Sequence, residues 1–239
     1  MPASPVLSVI LPIYNESEAI VPVIQELIDV LEHHWASNWE VLAVNDGSTD
    51  DTAEKILELS ATYPGLRLLD LAENVGQSGA LWLGFRQARS TWIATLDADG
   101  QNDPADLPGM MEMLGDADAI FGYRAERKDT WSKKIGSKLA NGVRNGILKE
   151  EIRDTGCAIK IFKKSLTETL TPWNGMHRFL GSLFMMQKAK IVQKPVNHRP
   201  RSAGTSKYTN WGRLKKTWWD LFAVRWLRSR YVRVQLKGE

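Results

Sequence analysis

Short, continuously apolar runs alternate along this chain with longer segments that carry apolar residues at helical spacing. The runs are Val6 to Leu11, Val41 to Val44, Leu66 to Leu71 and Trp92 to Leu96, and helical spacing is clearest from Ile20 to Leu31. Strands that are apolar throughout, rather than at alternate residues, are typical of a parallel sheet covered on both faces. The sequence therefore predicts an α/β fold, with a mostly parallel sheet flanked by helices.

The elements expected after residue 103 do not keep this regular alternation. They are a helix near Leu107 to Leu114, a strand near Ala119 to Gly122, a helix from about Trp131 to Leu148, a strand around Ala158 to Phe162, a helix through Phe179 to Gln187 and a strand from Lys190 to Val196. We expect residues 1–208 to form one domain and residues 209–239 to form a separate C-terminal helix.

Length and composition limit the possible classes of protein. With 239 residues, 43% of them hydrophobic, the chain can bury one sizeable core. The single cysteine, Cys157, excludes an intramolecular disulfide and agrees with a reducing compartment. The first apolar run is too short for a signal peptide and lacks a basic leader, and no stretch approaches the roughly 20 apolar residues that cross a bilayer. We therefore expect a cytoplasmic protein, soluble or peripherally attached to a membrane.

Charge is unevenly distributed along the chain. The net charge is +3, but from Arg199 onward there are eleven Lys and Arg residues and only two acids, Asp220 and Glu239. The first two hundred residues are therefore net acidic, and the tail is strongly basic. This asymmetry predicts that the tail contacts an anionic partner.

Polar motifs follow three of the predicted strands. They are Pro12-Ile13-Tyr14-Asn15-Glu16, Asn45-Asp46-Gly47-Ser48 and Asp97-Ala98-Asp99. Ligands of such sheets bind beyond the carboxyl ends of the strands. We therefore expect these three widely separated segments to converge on one edge of the sheet.

The two aspartates of Asp97-Ala98-Asp99 are the most informative residues of these motifs. In an extended chain, residues i and i+2 point to the same side, so the two carboxylates predict a hard divalent cation, Mg²⁺ or Mn²⁺, between them. The alternative is a solvated acid cluster where a strand runs into a turn, and three residues alone do not decide between the two.

The other motif residues are also open to two interpretations. Asp46 can accept hydrogen bonds from the N–H groups of a nucleobase, or it can belong to a turn in which Ser48 or Asp50 caps the next helix. Pro12, Tyr14 and Glu16 carry the same ambiguity, because Pro12 can end a strand and Glu16 can open a helix for structural reasons alone.

The order of the motifs along the chain decides the interpretation. P-x-Y-N-E follows the first strand, N-D-G-S-T-D-D-T the second, N-x-G-Q-S-G-A the third and D-A-D-G-Q-N-D-P the fourth. The chain therefore resembles glycosyltransferase family two, and more narrowly the polyprenyl-phosphate sugar transferases typified by dolichyl-phosphate mannose synthase and its undecaprenyl-phosphate relatives. The resemblance covers about residues 6–210 and implies a GT-A fold with a Rossmann-like sheet.

By position, the resemblance also implies a role for each motif. The residues implied around the base and ribose of a nucleotide sugar are Pro12, Tyr14, Glu16 and Asp46. Those implied around the metal and the donor diphosphate are Asp97, Ala98, Asp99 and Gln101. The cations implied at the donor diphosphate and the acceptor phosphate are Arg124, Arg201 and Lys207. The sequence departs from common versions of the pattern at Asn45, where an acid is usual, and at Gly100 and Asn102.

Asp154 and the basic segment each keep an alternative. Asp154, implied among the catalytic residues, orients the acceptor or takes a proton, or else it is a turn residue. Arg199, Arg201 and Lys207 capture phosphate, or else they form a solvated basic loop.

The tail predicts a basic amphipathic helix that is rich in tryptophan. The residues expected on its apolar stripe are Trp211, Leu214, Trp218, Leu221 and Phe222, and those expected to face away are Arg213, Lys216 and Asp220. Such a helix is typical of a segment lying in the membrane interface. The alternative is a helix docked on the core with its charges in water.

Together these patterns predict a metal-dependent, inverting transfer of a hexose from a nucleotide sugar, GDP-mannose or a UDP-sugar, to a polyprenyl phosphate on the cytoplasmic face of a membrane. A lipid phosphate is anionic near neutral pH, so positioning and charge neutralisation replace a strong general base. The alternative is a glycosyltransferase that acts on a hydroxyl acceptor in polysaccharide or lipid A synthesis. A nonenzymatic module that binds nucleic acid or membrane is more remote, because the acidic D-A-D segment would repel nucleic acid.

Overall fold

A computed structural model describes residues 4–125, 142, 144–200 and 210–232, with the backbone alone for 210–217. The strands are β1 (Leu7–Ile13), β2 (Trp39–Asn45), β3 (Leu66–Asp70), β4 (Trp92–Thr95), β5 (Ala119–Arg124), β6 (Lys160–Lys163) and β7 (Ile191–Val196). The α-helices include α1 (Ile20–Trp35), α2 (Thr52–Thr62), α3 (Gln77–Gln87), α4 (Asp106–Glu112), α5 (Leu180–Met186) and α6 (Asn210–Arg230). Residues 144–148 are also helical, and the helix expected before them lies largely outside the described residues.

The strands form one sheet in the order β3-β2-β1-β4-β6-β5-β7. Strand β6 is antiparallel to both of its neighbours, β4 and β5, and the other neighbouring strands are parallel. The predicted α/β fold with a mostly parallel sheet flanked by helices is confirmed. The regular alternation of strand and helix ends where β6 enters the sheet in the reverse direction.

Helices on both faces of the sheet explain why its strands are apolar throughout. Successive residues of a strand point to opposite faces. Val9 and Leu11 belong to the apolar cluster that contains Leu27 of α1, whereas Ile10 belongs to the cluster that contains Phe85 of α3. Each fully buried side chain of this kind stabilises the fold by about 1.5–3 kcal/mol. Packing on both faces therefore fixes the strands and, with them, the loops at their ends.

The carboxyl ends of the parallel strands and the start of β6 meet at one edge of the sheet. Ile13 at the end of β1 lies beside Asn45 at the end of β2, and Thr95 at the end of β4 lies beside Lys160 at the start of β6. Lys160 also pairs with β5, which ends at Arg124. The motifs after β1, β2 and β4 therefore lie on one edge, as the sequence predicts.

Helix α6 packs on the core along a narrow stripe. Leu221 and Val224 are buried, and Asp220 is partly buried with its carboxylate near Gly175. The aromatic side chains that this helix exposes to solvent, among its described residues, are Trp218, Trp219, Phe222 and Trp226. The predicted stripe is therefore wrong where it joins Leu221 to Trp218 and Phe222, because Leu221 faces the protein, and Asp220 does not face away from it.

The C-terminal helix is also expected to lie at a membrane surface and to be separate from the main domain. Among the helices in the described part of the chain, none has the length and apolar composition needed to cross a membrane. The side chains of Trp211, Arg213, Leu214 and Lys216 lie outside the described residues. The boundary at residue 208 stays a prediction.

Candidate active site

The D-A-D segment lies in a turn directly after β4. The strand ends two residues before Asp97, and Ala98 and Asp99 are turn residues, so the extended geometry expected for the two aspartates is wrong. Asn102 Oδ1 accepts a hydrogen bond from the backbone N–H of Asp97 at 2.7 Å, and Asp99 Oδ1 accepts one from the N–H of Gln101 at 3.1 Å. Ala98 is buried and both carboxylates are partly buried. The turn thus fixes the two acids at the sheet edge.

The oxygen donors of this turn fit a hard divalent cation. Mg²⁺ at nucleotide sites is commonly held by one or two carboxylates together with substrate phosphates. Asp97 and Asp99, with the amide oxygen of Gln101, offer such a set. Within the described ranges, no group of three or more His, Cys, Asp or Glu side chains is arranged to hold a metal ion.

The start of the basic segment is paired with the D-A-D turn. Asn102 and His198 form an isolated antiparallel bridge. The N–H of Arg199 donates to the carbonyl of Gln101 at 2.9 Å, and Asn102 is buried. Asn102 therefore holds both the Asp97 backbone and the segment that leads into the basic residues, which gives its departure from the common pattern a structural role.

Arg199 forms ion pairs within the protein. Its guanidinium lies 2.7 Å from Glu26 and 2.7 Å from Asp103. Its charge is therefore balanced by two acids, and its observed role is to hold the segment in place. Arg201 and Lys207 lie outside the described residues, so their contacts with phosphate stay predictions.

The loops after β1 and β2 are joined by hydrogen bonds between side chains and backbone. Asn15 donates its N–H to Ser48 Oγ at 2.9 Å, and Glu16 donates its N–H to Thr52 Oγ1 at 3.1 Å. Asp50 Oδ1 accepts the N–H of Thr52, the first residue of α2, at 3.1 Å. Of the two alternative caps, Asp50 is the one that accepts an N–H of the helix, whereas the Ser48 hydroxyl accepts the N–H of Asn15 and donates to Asn45 Oδ1.

Asn45 has a clear reason to be an amide rather than an acid. Its Nδ2 donates to Asp70 Oδ1 at 2.6 Å, and its Oδ1 accepts the N–H of Ser48 at 3.3 Å. An aspartate at position 45 would put two carboxylates against each other. The amide instead joins the end of β2 to the end of β3.

Pro12, Tyr14 and Glu16 are partly buried where β1 leaves the sheet. The next loop begins beside them, because the N–H of Asp46 donates to the carbonyl of Ile13 at 2.8 Å. The two segments predicted to surround a base are therefore neighbours. Their contacts with a nucleotide stay predictions.

Asp46 is buried, with 4% of its surface exposed. Its Oδ1 accepts the N–H of Val75 at 2.8 Å, and its Oδ2 accepts the N–H of Gly76 at 2.9 Å. Asn74 Nδ2 also donates to Oδ2, at 3.1 Å. Burial raises the pKa of Asp46, and the two backbone N–H groups oppose that rise by stabilising the carboxylate. The observed role of Asp46 is to order the loop before α3, and its contact with a base stays a prediction.

Arg124 and Asp154 form a largely buried, bidentate ion pair. Arg124 Nε lies 2.7 Å from Asp154 Oδ2, and Arg124 Nη2 lies 2.9 Å from Oδ1. The N–H of Gly156 donates to Oδ1 at 3.2 Å, and the N–H of Cys157 donates to the Asp154 carbonyl at 3.3 Å. Asp154 is therefore a turn residue that also fixes the guanidinium at the end of β5. Proton uptake by Asp154 would disrupt a charge-assisted pair.

Lys160 is a residue at this edge that the sequence analysis missed. It is 5% exposed, its ammonium donates to the carbonyl of Cys157, and its Nζ lies 5.5 Å from the centroid of the Phe121 ring. Burial lowers the pKa of Lys160, and the charges of Cys157, Asp97 and Asp154 oppose that shift. A signal was present, since Lys160 is the one charged residue in the apolar run Ala158-Ile159-Lys160-Ile161-Phe162.

The sheet and its edge define a mixed α/β protein of the GT-A type. Similar solved structures include the mannosyltransferase PcManGT from Pyrobaculum calidifontis in complex with GDP-Man and Mn²⁺, with a TM-score of 0.63, 19% identity and coverage of 98% of this chain and 67% of that chain. Glucosyl-3-phosphoglycerate synthase from Mycobacterium tuberculosis, in complex with Mn²⁺, UDP and glucosyl-3-phosphoglycerate, has a TM-score of 0.67, 18% identity and coverage of 96% and 81%. At these identities the likeness establishes the fold alone.

The family model for glycosyl transferase family 2 matches residues 8–171, and the chain belongs to that family. It is 34% identical to dodecaprenyl-phosphate galacturonate synthase of Rhizobium johnstonii, over 84% of this chain and 61% of the relative. It is 30% identical to undecaprenyl-phosphate 4-deoxy-4-formamido-L-arabinose transferase of Sodalis glossinidius, over 85% of this chain and 63% of the relative. The chain thus spans about three fifths of the length of these curated relatives.

Proposed function

We propose that this protein transfers a sugar from a nucleotide sugar to the phosphate of a polyprenyl phosphate at the surface of a membrane. The observation that carries the proposal is the convergence of the β1, β2 and β4 loops on the edge that also holds the Arg124–Asp154 ion pair. Two relatives named as polyprenyl-phosphate enzymes support the acceptor class.

The donor side contains Asp97, Asp99 and Gln101, which would hold Mg²⁺ or Mn²⁺. When bound, such a cation neutralises the charge of a departing nucleoside diphosphate. Two structural neighbours carry Mn²⁺, which supports a divalent cation here. Neighbouring strands of a sheet lie about 4.8 Å apart. Because β6 lies between β4 and β5, the axes of β4 and β5 are roughly 10 Å apart. That distance leaves room for phosphate groups between Arg124 and the aspartates Asp97 and Asp99.

The base of the nucleotide would lie over the joined loops after β1 and β2. Pro12, Tyr14 and Glu16 would form the wall of that site, because they are partly exposed there. Asp46 would act on the donor through the loop that its carboxylate orders. This division of roles makes the wall responsible for base preference and Asp46 responsible for the shape of the site.

The acceptor side contains Arg124, which Asp154 orients, together with Arg201 and Lys207. A phosphate acceptor brings its own negative charge, so these cations would position it and no strong base is required. The engagement of both Asp154 oxygens favours this chemistry over a hydroxyl acceptor, which needs a committed base.

Asp154→Asn separates these two chemistries. With a phosphate acceptor, the variant should keep measurable turnover, because the amide oxygen still accepts one hydrogen bond from Arg124. Turnover at the level of the protein-free control would favour the hydroxyl acceptor instead. Thermal unfolding of the variant shows whether any loss of turnover reflects loss of fold.

The exposed aromatic face of α6 would lie in the membrane interface. Trp219, Trp226 and Phe222 are 77%, 64% and 54% exposed, and Arg225 and Arg230 are exposed on the same helix. Aromatic side chains beside cations are typical of segments that bind anionic lipid surfaces. Such a helix would keep the protein beside its lipid acceptor, and the cytoplasmic supply of nucleotide sugars would place both on the inner face of the membrane.

Vesicle sedimentation tests this contact. The double variant Trp219→Ser and Trp226→Ser should lose most binding to vesicles that contain phosphatidylglycerol. Leu57→Ser removes a similarly exposed apolar side chain from α2 and should bind like the wild type. Equal binding by the double variant and the wild type would remove α6 from the proposal.

The choice of sugar donors to test is based on the names of the relatives rather than on the resemblance to mannose synthases. The relatives are named for galacturonate and 4-deoxy-4-formamido-L-arabinose, so UDP-sugars of these kinds lead the donor panel and GDP-mannose follows. The protein should be incubated with Mn²⁺, each donor and a short polyprenyl phosphate, and any glycosyl lipid identified by mass spectrometry. Failure to form a glycosyl lipid with every donor would overturn the proposal.

A further inference from the structure

Residues 74–78, which precede and begin α3, connect three distant parts of the molecule. We call them the entry segment. Its first three residues bond to Asp46 after β2. The side chain of Gln77 reaches Asp97 after β4. The hydroxyl of Ser78 contacts the segment before α5. The first and last of these contacts hold the segment on either side of Gln77.

The first contact leaves little room for movement. Asp46 holds consecutive backbone N–H groups at 2.8 and 2.9 Å. Gly47 has φ +66°, and a Cβ there would lie 2.6 Å from the backbone carbon of Glu73 and 2.7 Å from the nitrogen of Asn74. Gly76 has φ +83°, a conformation that favours glycine. The chain is therefore fixed directly before Gln77.

The second contact holds the residue after Gln77. Ser78 is 3% exposed. Its Oγ accepts the N–H of Gly175 at 3.1 Å and the N–H of His177 at 3.4 Å, and it lies 2.8 Å from His177 Nδ1. These contacts join the start of α3 to the chain before α5, so the backbone of Gln77 is held from both sides.

The amide of Gln77 donates from Nε2 to Asp97 Oδ1 at 3.0 Å. A carboxylate rotates about its last side-chain bond unless a neighbour fixes it, and a metal ligand has to present its oxygens in one orientation. We propose that Gln77 is a positioning residue, which orients the Asp97 carboxylate for a divalent cation. The inference rests on the proposed function, because it concerns the donor-side cation, and it adds a residue that acts through Asp97.

Removing a partner that orients a metal ligand typically weakens metal affinity by about 10 to 100-fold. Gln77→Ala should therefore raise the Kd for Mn²⁺ by that factor, measured from the free Mn²⁺ signal in electron paramagnetic resonance with nucleoside diphosphate present. Gln87→Ala makes the same chemical change at the exposed end of the same helix and should leave the Kd unchanged. Gln77→Met keeps the length of the side chain without a donor and should behave like Gln77→Ala.

The kinetics distinguish positioning from loss of fold. In Gln77→Ala, the Mn²⁺ concentration for half-maximal turnover should rise by the same factor, while turnover at saturating Mn²⁺ returns to near the wild-type rate. Because bound metal can itself stabilise a weakened fold, circular dichroism of the metal-free variant shows whether its fold is intact. If Gln77→Ala is poorly folded by circular dichroism, Gln77→Met provides the test.

The outcomes separate the two claims. Equal Kd values for Gln77→Met and the wild type would overturn the positioning role alone. If the wild type and Gln87→Ala bind no Mn²⁺ with any nucleoside diphosphate, the metal part of the proposed function fails, and the positioning role fails with it. A raised Kd in both Gln77 variants, with Gln87→Ala unchanged, supports the inference.

Discussion

The half of the site that follows β1 to β4 and the half that follows β5 hold their side chains in different ways. In the first half, short polar residues bond to the backbone of neighbouring loops, as Asn15, Asp46 and Asn102 do. In the second half, charged residues hold one another, as in the largely buried pair Arg124–Asp154. The first arrangement bonds uncharged backbone N–H groups to side-chain oxygens, and the second pairs two opposite charges in a largely buried position.

This difference indicates what each half can tolerate. A loop held by several backbone hydrogen bonds loses about 0.5–1.5 kcal/mol for each typical bond removed. A buried ion pair is strongly destabilised when one partner is lost, because the other charge stays buried. Single substitutions in the first half should therefore lower the free energy of unfolding by small steps, and loss of one ion-pair partner in the second half should lower it by a large step.

The largest expected effect is on turnover in the first half. Asp97→Asn should lower turnover by about 10³-fold or more, because stabilisation by the cation is worth several kcal/mol and each 1.4 kcal/mol is about tenfold in rate. The fold should persist, since the substitution leaves the backbone N–H of Asp97, which donates to Asn102 Oδ1, in place. Steady-state kinetics and thermal unfolding measure the two quantities.

Asp116→Asn is the matched control for this change. Asp116 is 85% exposed and pairs with Lys190 before β5, at the opposite end of that strand. Its turnover should equal that of the wild type. Turnover by Asp97→Asn within tenfold of the wild type, or full activity in excess chelator, would contradict the metal role.

Breaking the ion pair of the second half should cost the most stability. Arg124→Met leaves the Asp154 carboxylate buried and should lower the free energy of unfolding by about 3–5 kcal/mol. Adding Asp154→Leu should recover much of that loss. Urea unfolding of the two single variants and the double variant measures the coupling.

An exposed pair provides the contrast. Lys190→Met removes one partner of Lys190–Asp116, whose side chains are 55% and 85% exposed, and should lower stability far less than Arg124→Met does, because water screens an exposed pair. A loss in Arg124→Met as small as that in Lys190→Met would remove the distinction between the two halves.

A smaller loss of stability is expected in the first half. Asp46→Asn places an amide NH₂ where the carboxylate accepts from Gly76 and Asn74, and one unsatisfied buried donor costs about 1–3 kcal/mol. Urea unfolding should show this decrease. The exposed Asp51→Asn, in the same loop, should leave stability close to that of the wild type because water screens its charge, and equal losses in the two variants would show that Asp46 does not order the loop.

The smallest effect at neutral pH is expected for Lys160→Met. The variant loses one hydrogen bond, worth about 1 kcal/mol, and removes a charge that is costly to bury, so the free energy of unfolding at pH 7 should change by about 1 kcal/mol or less. Its pH dependence should differ more. Burial lowers the pKa of Lys160 in the folded protein below its ordinary value of 10.5. Between the pKa of the folded protein and 10.5, the unfolded chain therefore binds more protons than the folded one. In that range the free energy of unfolding of the wild type rises with pH.

Comparison with a second lysine isolates the contribution of Lys160 to the pH dependence of stability. The rise in stability from pH 7 toward pH 10.5 should be smaller in Lys160→Met than in the wild type. Lys163→Met, on the same strand but 38% exposed, should keep the wild-type slope. Identical slopes in all three proteins would show that the Lys160 ammonium is not buried as described.

The sequence predicts the first half of the site better than the second. Motifs after successive parallel strands have to meet at one edge, and the pairing of Ile13 with Asn45 bears this out. The geometry of Asp97 and Asp99 was predicted incorrectly, because the extended-chain rule stops applying where β4 ends. Local patterns indicate which loops meet but not how each loop turns.

The second half depends on contacts that no local pattern contains. Arg124 and Asp154 are partners because β6 runs in reverse and brings the turn before it to the end of β5. Lys160 is buried because its strand lies between β4 and β5. A lone charge in an apolar run was visible in the sequence, but its position inside the sheet follows only from the strand order.

The reversed strand also has a consequence for how such proteins diversify. Because β5 and β6 are antiparallel neighbours, the chain leaves the sheet after Arg124 and re-enters it at Lys160 on the same side. The register of β1 to β4 is set by the parallel pairing of those strands with one another, so the stretch between Arg124 and Lys160 can change without shifting it, provided that Asp154 keeps its pair with Arg124. Exchanging this stretch for that of a relative, with Asp154 kept, should leave donor preference with the recipient, because the residues proposed to bind the donor all lie outside it.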